Sequence, residues 1–500
     1  MLVLVVVAVV VAYEAYSIVY NLYFHPLAKI PGPVFWRSTR IGFIWSLVRG
    51  QLVRDVRKLH EQYGDIVRTA PDEVSFARKE AWDQIFLPGP GGAPAFYKNP
   101  IFFKSPPGQP TNMVTTINIH ENQRMRKVVL PAFTERALRA QEPVILGYAT
   151  YLMDKFQEMA TAPGTNGNGA AINVNDWFNF FAFDLIGDLT FGESFGCMQS
   201  SSYHPWVKML YAYLKGMVML AATRFYPLLE KTLMALIPPS LRKMQDDHYQ
   251  IAAKKISRRM NFEKTRNDFM TPVLDPKTNP DFENISRDEV ESTYQILIIA
   301  GSETTATALV GTANYLAQTP DKKQKLVDEI RSSFASADEI NVTSTRDLPY
   351  LTAVIQEGLR LCNPVPAGLP RCVPEAGATV CGHWLPGRTS VIVSPMAIAH
   401  SPKYFYRASD FIPERWLPAQ VRPSEFLNDA LDSQFPFGLG QRNCPGKLLA
   451  LTELKIVLAK MMFQFDMDVV PDKRLIWENL RTFIVVEKEP VYLNIKPRAL

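Results

Sequence analysis

One short stretch restricts the backbone more than any other: Phe435-Pro436-Phe437-Gly438-Leu439-Gly440-Gln441-Arg442-Asn443-Cys444-Pro445-Gly446. Glycines and an arginine surround a single cysteine, just ahead of an apolar run from Leu448 to Phe463 that is expected to be a helix. Glycine permits backbone turns closed to other residues, so the loop can aim amide N–H groups at the sulfur and stabilise a thiolate. A thiolate near a helix start, two residues from Arg442, is expected to have a lowered pKa. The glycines also allow a flat macrocycle to approach the backbone closely. A dinucleotide-binding loop does not fit, because Asn443 stands where the third glycine of that pattern belongs. A nucleophilic cysteine would need a histidine that sequence alone cannot place, and an ordinary glycine-rich turn stays open.

The chain carries five cysteines, Cys197, Cys362, Cys372, Cys381 and Cys444, without a CxxC pair. That set implies neither a disulfide framework nor a zinc cage. The 500 residues exceed one average domain, yet no low-complexity linker or repeat divides them. A single domain over residues 51–500 is therefore expected. The net charge of +5 is dispersed among acids, as from Asp321 to Arg331, which argues against nucleic acid as a partner.

Leu2 to Tyr13 is unbroken apolar sequence, and Ala15 to Phe24 is mostly so, with Glu14 the only charged side chain before Lys29. Residues 1–24 are expected to form one transmembrane anchor, long enough for a bilayer core of roughly 30 Å. Glu14 at the helix centre would cost about 2.5–3.5 kcal/mol, which the neighbouring valines and leucines offset. Lys29, Arg37, Arg40 and Arg49 follow, and the positive-inside rule then leaves the main domain in the cytoplasm. A cleaved signal peptide is the competing reading, against which the missing basic n-region and the unpaired cysteines weigh. Residues 25–50, with His25-Pro26 and Pro31-Gly32-Pro33, should end the helix and form a stiff hinge and entry segment.

Further patterns lie upstream of the cysteine. Ala300-Gly301-Ser302-Glu303-Thr304-Thr305 interrupts a helical stretch, Ile296 to Leu309, with residues that favour helix poorly. Thr304 can bond back to the Ala300 carbonyl and loosen the ladder, while Gly301 removes a side chain that would block a ligand. A tolerated kink explains the same residues. Glu357-Gly358-Leu359-Arg360 sets opposite charges on one helical face, alone no more than a surface pair. Phe411-Ile412-Pro413-Glu414-Arg415-Trp416 adds another arginine downstream. His120 to Leu138 reads as a basic helix whose Arg124, Arg126 and Lys127 can simply face solvent.

In this order and spacing the chain resembles the cytochrome P450 superfamily over essentially its whole length. Phe437-x-x-Gly440-x-Arg442-x-Cys444-x-Gly446 looks like the haem-binding signature, a match with chance odds on the order of one in ten thousand or less. The resemblance implies a mainly α fold with small β-sheets and haem held between the oxygen-activation helix and the cysteine-loop helix, behind the N-terminal anchor. It implies Cys444 as axial ligand of the iron of haem b, with Phe437, Arg442 and Gly301 beside the cofactor. Glu303 and Thr304 would be the acid–alcohol pair that relays protons for O–O cleavage. Glu357, Arg360 and Arg415 would form a buried, structural charge triad. Haem propionates are expected at Arg126 and Arg371. Phasing on Pro131-Ala132-Phe133-Thr134 selects Arg126 and leaves Asn122 where the family carries tryptophan or histidine, whereas His120 and Arg124 share the same spacing. The segments Tyr23 to Leu27 and Asp184 to Gly196 are most similar to fungal members of secondary metabolism.

The implied activity is insertion of one atom of O₂ into a hydrophobic small molecule, by hydroxylation or epoxidation, as in terpenoid, polyketide or alkaloid biosynthesis. Electrons would come from NADPH through a membrane-bound NADPH–cytochrome P450 reductase, since the chain has no flavin or nicotinamide fingerprint of its own. Arg442, Lys447 and Lys127 are candidates for its docking face. Anchor and partner together imply a single-pass protein of the endoplasmic reticulum with its catalytic domain in the cytoplasm. Phe102 to Thr116, Trp206 to Pro227, Val365 to Leu369 and Phe483-Ile484 are expected pocket walls, although core packing explains any one of them equally well. An isomerase, dehydratase or desaturase-type oxidation on the same scaffold is the alternative, with a non-enzymatic haem sensor behind it.

Overall fold

The structure is a computed structural model that describes residues 1–92, 94–105, 108–165, 169–261, 266–275, 277, 279–280 and 284–498. Helices dominate it, with several small sheets, as the resemblance implies. The N-terminal helix Leu2–Val19 continues through a wider turn at Tyr20–Phe24. From Val7 to Phe24 it is apolar and long enough to cross a membrane, and none of that stretch is buried against the rest of the chain.

The hinge is fastened to the sheet that follows it. Arg68, fully buried, donates to the Asn21 carbonyl at 2.7 Å and the Pro71 carbonyl at 2.6 Å, and its own amide meets the Pro31 carbonyl at 2.8 Å. A Cβ on Gly32 would lie 2.5 Å from the Arg68 carbonyl oxygen, so only glycine permits this approach. Arg40, counted among the positive flanking charges, is instead buried beside Asp72 and Glu73. Lys29 and Arg49 remain exposed.

The five-stranded sheet has the spatial order Ile66–Ala70, Glu73–Phe76, Ser390–Val393, Arg371–Cys372, Tyr97–Lys98. Its Glu73–Phe76 and Ser390–Val393 pair is parallel and its other pairs antiparallel. A three-stranded sheet joins Ala170–Asn173, Tyr492–Pro497 and Phe465–Val469. Near the C-terminus, Arg481–Phe483 and Val485–Glu487 form a hairpin with Ile484 alone at its tip, at φ 68°. A β-branched residue there is strained.

The central helix, Arg287–Gln318, starts in a reciprocal cap between Ser286 and Glu289. It is as apolar as a membrane span, but 78% of its most apolar 18-residue stretch is buried, so its hydrophobicity serves the core. The aromatic helix Val174–Phe191 is buried on nearly all sides and packs along it. The E-x-x-R helix Pro349–Leu361 and the cysteine helix Lys447–Gln464 pack against the central helix elsewhere. The cysteine helix begins where the sequence pattern placed it, directly after Gly446.

Candidate active site

The cysteine loop closes through backbone geometry. Its Gly440–Arg442 segment is a tight helical turn, and the Cys444 amide donates to the Phe437 carbonyl at 2.8 Å. Gly438 and Gly440 have φ of 71° and 75°, values that penalise any other residue. At Gly440 a Cβ would also lie 2.4 Å from the Phe86 carbonyl oxygen. Of the five cysteines only Cys444 is exposed; Cys197, Cys362 and Cys372 are buried and Cys381 is half-buried. Its accessible surface belongs to a recess crowded by protein, and burial pushes the thiol above its usual value. The Gly446 amide, Arg126 and Lys447 pull the other way without prevailing. The polypeptide alone does not give the expected lowering, because burial outweighs the loop amide and the nearby cations. Arg442 donates to the Thr116 and Ile117 carbonyls at 2.9 and 2.6 Å, so its guanidinium is held at the edge of the loop. Phe437 is half-buried, with the Lys447 ammonium 5.9 Å from its ring centre.

Beside the loop lies a set of cations with no carboxylate partner among the described residues. Arg371 is buried, and its Nη1 has no hydrogen-bond partner. Lys98, across the strand pair from Arg371 in register, is also buried and donates only to the carbonyls of Met113 and Val114, at 3.5 and 2.5 Å. Burial, then Arg442 and Arg371, push Lys98 down to about 6; burial and Arg442 bring Arg371 to about 10, and burial brings Arg442 to about 10. Burying like charges together without counterions is costly, so the cluster fits a ligand that brings its own carboxylates, as haem does with its propionates. Arg126 stands next to it, donating to the Asn443 carbonyl at 2.7 Å and to Asn443 Oδ1 at 2.5 Å. The rival spacing fails because Arg124 pairs with Glu289 at 2.5 Å and His120 is exposed. Asn122, in the aromatic slot, is buried with Oδ1 unpartnered and donates to the Met113 carbonyl at 2.7 Å.

Lys98 was not foreseen, since nothing in its local sequence marks it. It also makes a sharp prediction. Its folded pKa lies below the unfolded one, so between about pH 6 and 10 the unfolded chain binds more protons and the haem-free protein gains stability as pH rises. Carboxylates arriving at the cluster should return a proton to Lys98. Titrating haem into the apoprotein near pH 8 in weak buffer should release about one proton more from Lys98→Met than from the wild type, in which uptake by Lys98 offsets the proton lost when the Cys444 thiol becomes a thiolate.

In the central helix, Thr304 Oγ1 donates to the Ala300 carbonyl at 2.5 Å, as its position suggests. The helix nevertheless continues without a break. Gly301 has a second reason beside the one first given. A Cβ there would lie 2.6 Å from Ile186 Cδ1, so the glycine also lets the aromatic helix approach closely. Glu303 is buried in an ion pair with Lys488, a residue the sequence gave no cause to single out. Thr304, one position on and so about 100° round the helix, is half-exposed. Farther along, burial lifts the Glu453 carboxyl of the cysteine helix to about 8, opposed by a hydrogen bond with Thr305, which ties the two helices together.

The expected charge triad is a quartet. Arg360 grips Glu357 with Nε at 2.8 Å and Nη2 at 2.7 Å, and Arg415 Nε reaches the same carboxylate at 3.2 Å. Arg415 Nη1 also pairs with Asp429, so two arginines face two acids with almost no solvent access. The Trp416 indole and the Ile412 amide each donate to Glu357 at 2.8 Å. Arg360 also donates to the carbonyls of Ala399, Ala408 and Asp410, fixing the chain that leads into the cysteine loop.

The proposed pocket walls divide. Trp206 is 3% exposed and stacks on Phe195 at 5.1 Å, which makes it core. Phe483 is buried against Gly50, with Lys215 5.3 Å from its ring. Pro106 and Pro107 of the Phe102 to Thr116 loop lie outside the described residues.

The Cytochrome P450 family model matches residues 27–495. The chain belongs to that family. It is 36% identical to the cytochrome P450 monooxygenase astA of Talaromyces wortmannii over 98% of this chain and 96% of that protein. Equal identity, 36%, relates it to the cytochrome P450 monooxygenase astJ of Aspergillus oryzae over 98% and 95% of the two chains, and to the versicolorin B desaturase stcL of Emericella nidulans over 98% and 97%. It is an oxidoreductase that uses molecular oxygen, of the kind found in fungal secondary metabolism.

Proposed function

We propose that Cys444 holds the iron of haem b, that Lys98, Arg371, Arg442 and Arg126 receive its propionates, and that the enzyme inserts one oxygen atom into a hydrophobic small molecule. One observation carries the reading: a single exposed cysteine, framed by a glycine loop, adjoins buried cations that lack anions. Bound there, haem supplies the redox chemistry of O₂ activation, which a thiolate ligand favours. The chain's own residues do the rest. The loop backbone fixes the sulfur, the quartet fixes the loop's approach, Thr304 and Glu303 handle protons, and buried apolar surface excludes water. The polyketide, terpenoid and alkaloid classes stand as the substrate range.

The desaturase among its relatives supports a second outcome, in which two hydrogens leave the substrate and no oxygen is retained. Turnover with NADPH and reductase under ¹⁸O₂ separates the two: hydroxylation or epoxidation places one label in the product, desaturation none. A reduced, carbon-monoxide-bound protein without the red-shifted Soret band of thiolate ligation would overturn the haem assignment.

The anchor and the exposed Lys29 and Arg49 beyond it support a cytoplasm-facing domain on the endoplasmic reticulum, reduced by NADPH–cytochrome P450 reductase. Lys127 and Lys447 are exposed on the cysteine side, where Gln123 of the basic helix donates to Gln441 of the loop at 3.1 Å. Arg442 is half-buried and committed to carbonyls, so it drops out of the docking face. Reversing both lysines (Lys127→Glu with Lys447→Glu) should slow the first electron transfer about tenfold or more at low salt, and less at high salt, by stopped-flow absorbance.

A further inference from the structure

The ion pair between Glu303 and Lys488 lies deep in the protein, each side chain only 3% exposed. Lys488 follows the C-terminal hairpin directly, whereas Glu303 belongs to the central helix. The ammonium contacts Glu303 Oε1 and also donates to Thr307 Oγ1 at 3.0 Å, one helical turn along. The second carboxylate oxygen, Oε2, is buried and has no partner. A buried acceptor left unsatisfied is expensive, so this oxygen marks a place where a water or another donor belongs. Lys488 therefore fixes one oxygen and leaves the other available.

Other charges on the neighbouring elements are engaged elsewhere. Tyr203 is the phenol nearest in electrostatic reach, and its hydroxyl donates to Asp176 at 2.9 Å. On the aromatic helix, Asp184 accepts from the amides of Cys197 and Met198, and Asp188 pairs with Tyr148 and Arg266. Glu357 belongs to the arginine quartet, Glu453 meets Thr305, and Glu487 pairs with Arg481 and Lys215. Lys488 is thus the cation that balances Glu303.

We propose that Lys488 is a positioning residue for proton delivery, holding Glu303 by one oxygen so that the other receives the water that passes protons toward Thr304. This rests on the monooxygenase reading above. A proton taken up at the free oxygen leaves from the same carboxyl, so Glu303 ends each turnover in its starting charge and no other reactant is needed. Burial alone lowers the affinity of Lys488 for its proton, and Glu303 acts to restore it. Without the cation, a carboxyl this deep should go over to its neutral form. Because Lys488 adjoins the hairpin, whatever moves that hairpin also moves the aim of Glu303.

Lys488→Met tests the idea in the full-length holoprotein. The reduced carbon monoxide spectrum should keep its thiolate position. The alkaline limb of the turnover profile should move up by at least one pH unit, a tenfold change in proton concentration, and Lys488→Arg should restore it. Independently of turnover, infrared difference spectra should show a protonated-carboxyl band near neutral pH in Lys488→Met that disappears in the Glu303→Gln/Lys488→Met double variant. Superimposable pH profiles, or no such band, would overturn the proposal. If Lys488→Met yields too little folded protein, the double variant decides: it should match Glu303→Gln in rate and pH profile, and a further independent loss would overturn the proposal. Failure of the wild-type protein to show a thiolate spectrum would instead count against the monooxygenase reading.

Discussion

Cys444→Ala should eliminate turnover and the red-shifted Soret band of the reduced, carbon-monoxide-bound protein while leaving the fold in place. The reason lies in what the side chain does and does not touch. Its amide bond to Phe437 is main chain and survives the substitution. The turn is set by Gly438 and Gly440, not by the sulfur. Removing an exposed sulfur costs little packing, so the haem-free protein should change by only about 0.5 kcal/mol in denaturant unfolding. Activity should fall by several orders of magnitude, because the alanine leaves no thiolate in the glycine loop and the other cysteines are buried or half-buried in other elements. A variant that keeps its wild-type spectrum would sink the assignment of Cys444.

Arg415→Ala should be the most damaging substitution for stability, by about 3–5 kcal/mol, because it strands Asp429 in a site closed to water and leaves Glu357 with Arg360 as its remaining cation. The arginine also donates to the Tyr406 carbonyl at 3.0 and 3.1 Å, bonds that no smaller residue replaces. A loss below about 1 kcal/mol in urea unfolding would show that the quartet is not the keystone described. The pH dependence follows with a definite sign. Burial opposes the Glu357 charge, but Arg360, Arg415 and the Ile412 amide hold the carboxyl below its usual 4.5. A depressed acid contributes stability above its unfolded pKa and loses it as pH falls through the folded one. The wild type should therefore lose stability in acid below about pH 4.5, and Glu357→Gln should flatten that part of the curve while lowering stability at neutral pH.

Fold and site were legible in the sequence wherever function depends on glycine, proline or short-range spacing. The cysteine loop, the back-bond of Thr304 and the Glu357–Arg360 contact are all local, so their residues lie within a few positions of one another. What escaped depends on long-range pairing. Lys98 meets Arg371 only because two short strands align, and Lys488 meets Glu303 across 185 positions. Asp429 joins Arg415 through an irregular loop with no periodicity to betray it. Gly301 is ambiguous in another way, since a ligand groove and a close helix crossing both ask for glycine, and the contact with Ile186 was not visible in sequence. The thiol of Cys444 was misjudged for a related reason: the helix start and the nearby cations are visible in sequence, but the burial that outweighs them is not.

The clamp at Arg68 bears on how such an enzyme meets its surroundings. By bonding to Asn21 just before the chain leaves the anchor, and to Pro71 in the turn between the first two strands, it makes the stalk a bracket instead of a tether. A tethered domain would sweep a hemisphere and present its faces at random. A bracketed one holds a fixed attitude to its N-terminal helix, so whatever seats that helix also decides which face of the domain is presented.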